Sequence, residues 1–396
     1  MTRFRPKDER ELAEIVAAAV AQEEPLELVA GGSKRGLGRP PQLPHTLDLS
    51  SFAGISAYEP EELVLTAGAA TPMSEIEAAL AARGQMLAFE PPDWRGLLGT
   101  SSAGTLGGAV LCNLSGPRRI KAGAARDHFL GFRGVSGRGE AFKAGGKVVK
   151  NVTGYDLAKL VAGSYGTLVA VTEVSVKVLP RAAAERSILL RRLDDTAAQR
   201  AMTAGLSSPH EVSGAAHLPN GESGCDTALT LLRLEGPGPS VEARANALRA
   251  ELAPFGAAEE TRGEESARLW RAVRDVAPLA GDAARAVWRV SVPPSAGPAL
   301  AAAAAQRLEA RWFFDWGGGL VWLSVPAAGD GGAASIRGAL AASGGHATLI
   351  RASDALRAAV PVFEPQPPAL AALTRRVKES FDPKRILNRG RLYADV

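Results

Sequence analysis

Residues 99–113 read Gly-Thr-Ser-Ser-Ala-Gly-Thr-Leu-Gly-Gly-Ala-Val-Leu-Cys-Asn, a run that is apolar and glycine-rich at once, with small hydroxyl residues interleaved. A backbone so free of side chains can lie flat against a large planar ligand, and Thr100, Ser101, Thr105 and Asn113 supply polar groups around it. Two other segments repeat this chemistry. Ala30-Gly-Gly-Ser-Lys34 follows a predicted strand, Leu26–Ala30, and Lys150-Asn-Val-Thr-Gly-Tyr-Asp156 is followed by Gly163-Ser-Tyr-Gly-Thr-Leu-Val-Ala-Val-Thr172. In the first, consecutive N–H groups can converge on one anion. Each hydrogen bond to a charged oxygen contributes roughly 1.5–3 kcal/mol, so three or four would fix a diphosphate. Taken alone, the loop reads more readily as a plain glycine-rich turn. It is not the Gly-x-x-x-x-Gly-Lys-Ser/Thr phosphate loop. Nor is it a dinucleotide fingerprint, because Arg35-Gly-Leu-Gly-Arg-Pro-Pro41 cannot supply the helix that must follow. Three such segments, each joined to a strand, are hard to explain as turns.

The periodicity predicts an α+β protein. Leu12, Ile15, Val16 and Ala19 share one face of a helix over 8–23, and Pro72 to Arg83 reads as a second helix with Thr71 as its cap. Leu168 to Val178 alternates as a strand, and the first unit closes at Leu179-Pro180. An internal repeat then appears. The first copy runs strand 187–193, helix 196–206, strands 212–218 and 228–234, helix 241–253, strand 257–260. The second runs strand 287–292, helix 298–309, strands 312–315 and 320–325, helix 334–342, strand 347–351. Each copy spells β-α-β-β-α-β, a unit that builds an antiparallel sheet covered by helices. A Pro-rich link, 361–368, leads to a final helix over 370–380 and the tail Phe381-Asp-Pro-Lys-Arg-Ile-Leu-Asn-Arg-Gly390.

The three glycine-rich segments, in this order and spacing, resemble the FAD-binding domain of the vanillyl-alcohol oxidase/PCMH flavoprotein superfamily. The tail resembles that superfamily's Phe-Asp-Pro…Asn-Pro-Gly ending, with Arg389 in place of the proline. Gly154-Tyr-Asp-Leu and Gly163-Ser-x-Gly-Thr-Leu are like the flavin-dependent D-2-hydroxyacid dehydrogenases. Over nearly the whole chain the pattern is most similar to the FAD-binding subunits of bacterial glycolate oxidase complexes. The resemblance implies a PCMH-type FAD domain over 1–180, an α+β cap of the two repeats over 181–355, and a return segment, 356–396, packing on the FAD domain. It implies that Gly31, Gly32, Ser33 and Lys34 hold the diphosphate. It places Pro91, Thr100, Gly104, Thr105, Gly107, Gly108 and Asn113 along the second side of FAD. Gly166 and Val171 would lie near the adenine end. Lys150, Thr153, Gly154 and Tyr155 would border the flavin ring, and Asn388 would return to it from the tail. Lys150 would stabilise the anionic reduced flavin, though a lysine in a basic stretch is equally a solvated one.

The departures from that pattern matter as much. The catalytic members carry His-x-Gly-Asp-Gly-Asn-x-His in the cap. Here His45, His128, His210, His217 and His346 are isolated, and Gly329-Asp330-Gly331 has no flanking histidine. No metal site is expected from such spacing; a general base is not evident, and His346, the one candidate, is of a kind more often structural. No His or Cys occupies the first loop and Cys112 reads as a small buried residue, so the FAD is expected to be noncovalent. Asp315 and Glu364 read as surface or capping acids, and Trp312 and Trp316 as the buried face of a sheet. Two cysteines, Cys112 and Cys225, cannot hold an iron–sulfur cluster, so reduced flavin must pass its electrons elsewhere. The resemblance implies a catalytic FAD sister subunit and an iron–sulfur subunit as partners, with a small 2-hydroxyacid as substrate.

A formal charge of +4 does not indicate nucleic acid, but residues 116–150 hold nine Lys and Arg against Asp127 and Glu140. That basic stretch, with Arg118 and Arg119, is expected to face a partner or water. The charged N-terminus has no signal-peptide core, and Ala299 to Ala305 is far short of the roughly 20 apolar residues that span a bilayer. The expectation is a cytoplasmic protein that meets the inner membrane only through partners. A stand-alone FAD oxidase of another hydroxyl-bearing substrate and a non-catalytic FAD-binding relay or structural subunit remain as alternatives.

Overall fold

A computed structural model describes residues 2–102, 104–146, 154–219 and 227–396. Its N-terminal part contains two sheets. Thr2–Phe4, His45–Asp48 and Leu26–Val29 form a three-stranded parallel sheet with His45–Asp48 in the middle. Helix Glu9–Gln22 covers it through Leu12, Val16 and Ala19, all buried, and is started by Asp8, whose carboxylate accepts the Glu11 N–H at 2.9 Å. The second sheet is antiparallel, in the order Ile55–Glu59, Val64–Gly68, Val169–Lys177, Phe129–Ser136, Ala141–Gly145. The helix expected after Thr71 begins at Met73. Thr71 does not cap it; its hydroxyl donates to the Gly68 carbonyl and accepts from the Gly54 N–H, tying a loop to the sheet.

The two repeats build one eight-stranded antiparallel sheet. Its order is Ala258–Arg262, Ala184–Arg191, Leu229–Gly236, Gly214–Leu218, Arg311–Asp315, Leu320–Pro326, Arg285–Ser291, His346–Arg351. Each copy therefore uses the same internal order, and the copies meet edge to edge at their second strands, where His217 pairs with Phe314. Helices Asp195–Ser207, Gly238–Leu252, Gly297–Arg307 and Ala333–Leu340 pack on one face. Phe314 points into that layer and its neighbour Phe313 into the opposite one, as a period of two requires. The opposite face is not solvated. It packs with Trp270 and with Leu37, Trp94, Leu97 and Leu114 from the N-terminal part, so the sheet is buried on both sides rather than the one expected from Trp312 and Trp316.

Charged groups cross the same boundary. Glu90 takes two hydrogen bonds from Arg233, at 2.9 and 3.1 Å, and one from the Arg118 N–H at 2.8 Å, while Arg118 pairs with Glu235 at 2.9 Å. Arg351 donates to the carbonyls of Leu97, Leu279, Ala280 and Asp282.

The C-terminal segment runs back to the first sheet. Helix Pro368–Phe381 ends in a buried pair, Lys378 to Asp382 at 2.8 Å. Lys378 also donates to the Thr167 and Leu387 carbonyls, and Asp382 accepts the N–H groups of Ile386 and Leu387. All three protons of that ammonium are thus used, which is what keeps a buried lysine tolerable. Leu387 then bridges to Leu26 in parallel. Two chain ends that are far apart in sequence make one edge.

Candidate functional site

The chain leaves strand Leu26–Val29 into a turn that Gly32 makes at φ +74°, and no helix follows it. Among the described residues, the N–H groups of Gly31, Gly32, Ser33 and Lys34 donate to no protein acceptor. The Lys34 stem runs alongside two glycines of the second segment. A Cβ at Gly104 would lie 3.0 Å from Lys34 Nζ, and one at Gly108 would lie 3.4 Å from its Cδ. The ammonium donates to Ser33 Oγ at 3.3 Å and has no carboxylate in ion-pair contact among the described residues, and burial pushes its pKa down. A half-buried cation beside four unused N–H donors is an arrangement whose chemistry suits an anion.

The second segment forms the facing wall. Thr105 caps the short helix Leu106–Leu111 by accepting the Gly108 N–H. Gly107 sits against the sheet so closely that a Cβ would lie 2.7 Å from the Ala69 carbonyl oxygen. Cys112 follows and lines the cavity rather than being merely buried. Burial raises its thiol to about 11, against the pull of Lys34, so it is protonated at neutral pH. The third segment closes the end: Gly166, at φ +74°, leaves room for Asn388, whose Nδ2 would otherwise lie 2.8 Å from a Cβ. Asn388 donates to the Tyr165 carbonyl at 2.7 Å and accepts the Leu28 N–H at 2.8 Å.

Together these walls line a cleft of about 800 Å³, open to solvent, with Val171 among its lining residues. Of the expected residues it gathers Gly31, Gly32, Ser33, Lys34, Thr105, Gly107, Gly108, Gly166, Val171 and Asn388. It also takes in Tyr165 and Arg391, which the sequence pattern did not single out. Arg391 donates to the carbonyls of Lys34 and Arg35 at 2.8 and 3.1 Å, so it shapes the loop from behind. Its signal would have been its place three residues after Asn388.

Other expected residues lie elsewhere. Gly104 opens into a small recess with Ser33, Lys34 and Trp94. Pro91 borders a separate, polar cavity of about 1510 Å³. Asn113 accepts the Arg126 N–H at 3.0 Å, and Thr100 has a buried hydroxyl with no partner. Gly154 is outside the cleft, and Tyr155 projects into solvent at 94% exposure. Lys150 and Thr153 lie outside the described residues. The basic stretch divides: Lys121, Arg126, Arg133, Arg138 and Lys143 are exposed, Lys147 also lies outside the described residues, and several of the cations have partners. Arg118 is in the Glu90–Arg233–Glu235 cluster, Arg119 stacks on Trp316 at 4.4 Å, and Arg133 pairs with Glu9 at 2.6 Å, because folding brings carboxylates and an indole over them. Asp315 does cap the turn that follows it, accepting the Trp316 N–H, but it is buried rather than on the surface. Burial raises it to about 7. Glu364 accepts the Ala347 N–H at 3.0 Å. Among the described residues no group of three or more His, Cys, Asp or Glu could hold a metal.

Residues 3–145 match the family described as FAD binding domain, and residues 363–392 match that of FAD linked oxidases, C-terminal domain. The chain is 36% identical over 385 residues to the glycolate oxidase subunit GlcE of Escherichia coli (strain K12), covering 97% of each protein. It is 39% identical over 112 residues to the glycolate oxidase subunit GlcD of Bacillus subtilis (strain 168), which is 28% of this chain and 23% of that one. Its fold matches p-cresol methylhydroxylase with substrate bound at a TM-score of 0.75 and 13% identity, covering 99% of this chain and 88% of the other.

Proposed function

The chain belongs to the family of PCMH-type FAD flavoproteins that includes the glycolate oxidase subunit GlcE, and on that premise we propose that it is the FAD-binding subunit of a complex oxidising glycolate to glyoxylate. The observation that carries this reading is Lys34, a cation without a carboxylate partner, set beside the unused N–H groups of residues 31–34 and walled by Gly104 and Gly108. The donor set fits a diphosphate, and the bare walls fit a flat ring system. In this reading residues 31–34 hold the diphosphate. Thr105, Gly107 and Gly108 line the second side, Gly166 and Val171 the third, and Asn388 fixes the loop that presents them. Thr100, Gly104 and Asn113 support the second segment from outside the cleft, and Pro91 joins it to the cap. Lys150, Thr153, Gly154 and Tyr155 are kept as the segment bordering the ring. The FAD domain takes 1–180, the cap 181–355, and 356–396 returns to the FAD domain.

FAD, when bound, supplies the acceptor for the two electrons that leave the alcohol carbon. The chain's own groups bind and orient it and exclude water. We take the binding to be noncovalent: the loop has no His or Cys, and the Cys112 thiol is held protonated, short of the thiolate needed to attack a flavin. The partners in this reading are a catalytic FAD sister subunit, to which GlcD is the counterpart, and an iron–sulfur subunit that accepts the electrons. A chain with two cysteines must hand electrons on. No helix among the described residues is long and apolar enough to cross a membrane, so contact with the inner membrane would come through partners.

The test is direct. The purified chain should be yellow and should release unmodified FAD on heating or acid precipitation. Glycolate should bleach it rapidly only when the sister subunits are present. A well-folded chain that takes up no FAD would overturn the reading, and flavin that stays with the precipitate would overturn the noncovalent part.

A further inference from the structure

Recessed arginines near the boundary between the two parts are satisfied by carboxylates or by carbonyls: Arg118 has Glu235, Arg233 has Glu90, Arg274 has Asp275, and Arg351 and Arg391 donate to backbone carbonyls. Arg119 and Arg289 differ. Among the described residues neither makes an ion pair, although both are half-buried. Arg119 comes from the short helix Arg119–Ala122 and Arg289 from the middle of strand Arg285–Ser291, and both guanidinium groups stack on the same indole, Trp316, at 4.4 and 5.0 Å. Trp316, Tyr165 and Cys112 pack against one buried cluster, and the latter two line the cleft. The indole that carries the two cations thus packs on the same cluster as Tyr165 and Cys112 of the cleft wall.

Bringing two like charges onto one ring in a half-buried place costs energy unless an anion joins them. Burial, and then Arg119, lower Arg289 to about 10. The acids in reach do not neutralise the pair. Asp315 is raised to about 7 by burial and spends an oxygen on the Trp316 N–H. Asp127 accepts the Ala124 N–H at 2.8 Å, and Glu364 is engaged by the Ala347 N–H and by Arg337. The remaining titratable neighbours are Tyr165 and His346, and His346 is lowered by partial burial and by Arg289, so it is neutral near pH 7. Stacked guanidinium groups present their N–H edges sideways, the geometry that takes a carboxylate in a fork.

We propose that Arg119 and Arg289, held on Trp316, form the subsite that binds the carboxylate of a small 2-hydroxyacid or 2-oxoacid in this chain itself. This deepens the flavin reading and rests on it for the acid's identity: Arg289 is within electrostatic reach of Tyr165, which lines the cleft. A free acid fits better than an acidic side chain of a partner. Strand Arg285–Ser291 is paired on both sides, with Arg289 opposite Trp322 and Thr348, so no partner strand can reach it edge-on.

Oxalate, a two-carbon acid that cannot be oxidised at an alcohol carbon, is the probe. It should bind the purified holoprotein saturably by calorimetry and perturb the flavin absorbance. Arg289→Met and, independently, Arg119→Met should each weaken it at least tenfold at an unchanged ratio of FAD to protein. Oxalate affinity equal to wild type in both folded variants would overturn the proposal. So would no saturable binding to the wild type. Variants that bind oxalate normally but fail to co-purify with the sister subunit would also overturn it, by showing that the arginines meet a protein acid. Calorimetry reads the arginines with or without flavin, so arginine-dependent oxalate binding to a chain that takes up no FAD would sink the cofactor reading and support this one.

Discussion

The side chain of Asn388 accepts a hydrogen bond from the N–H of Leu28 at 2.8 Å, across 360 positions of sequence. Its amide also donates to the Tyr165 carbonyl at 2.7 Å, so one buried side chain joins the tail, the first loop's strand and the third glycine segment. Asn388→Ala should cost about 2 kcal/mol, the sum of two lost hydrogen bonds, and weaken FAD retention about tenfold. Urea unfolding and FAD equilibrium binding check the two effects. A variant that keeps both values would show that the tail does not hold the cleft.

Lys34 separates binding from stability. Its ammonium is penalised by burial and has no carboxylate partner, so Lys34→Met should leave the flavin-free protein as stable as the parent or slightly more so. The same change should lower FAD affinity by one to two powers of ten, because a charge-assisted hydrogen bond contributes roughly 1.5–3 kcal/mol. Thermal unfolding of the flavin-free protein and flavin titration read the two sides. A loss of stability with affinity intact would reverse the assignment.

Glu90 is expected to hold the two parts of the molecule together. Burial by itself would raise its pKa, but Arg233 and Arg118 outweigh it and hold the carboxyl at about 2. The stability it contributes is therefore complete above its ordinary value of about 4.5 and is lost as pH falls from there towards about 2. Glu90→Gln should cost about 3–5 kcal/mol at pH 7, since it leaves Arg233 buried without its partner. Parallel urea titrations at pH 7 and pH 3 should show the gap between parent and variant narrowing on acidification.

Asp315 has the opposite sign. Its ordinary pKa of 3.8 is raised to about 7 by burial, so the folded chain keeps a proton that the unfolded chain has already lost. Stability should fall as pH rises between about 4 and 7 on this account. Asp315→Asn keeps an oxygen for the Trp316 N–H and should be more stable than the parent at pH 8 by on the order of 2 kcal/mol, with no gain at pH 4. A variant equally stabilised at both pH values would mean that the burial penalty is not its cause.

How far the sequence could be read depended on whether the information was local. The repeat was legible, because alternation and helical spacing are properties of a few consecutive residues: strands predicted at 312–315 and 320–325 are Arg311–Asp315 and Leu320–Pro326. The turn at Gly31-Gly-Ser-Lys34 was legible too, since it needs only its own backbone. The charge of the 116–150 stretch could be counted from the sequence, but not which of its cations folding would pair. Arg118 finds Glu235, 117 positions away, and no pattern near Arg118 announces it.

The amino-acid sequence by itself determined the elements, the doubled β-α-β-β-α-β unit and the glycine segments that can lie close to a ligand, because spacing and absent side chains act over a few residues. Only the tertiary structure decided that Asn388 and Arg391 reach the loop at 31–35, that Arg119 and Arg289 share Trp316, and which charges lose their solvent. Those outcomes depend on where distant backbones meet, and a buried charge takes its energy from the neighbours that folding brings to it.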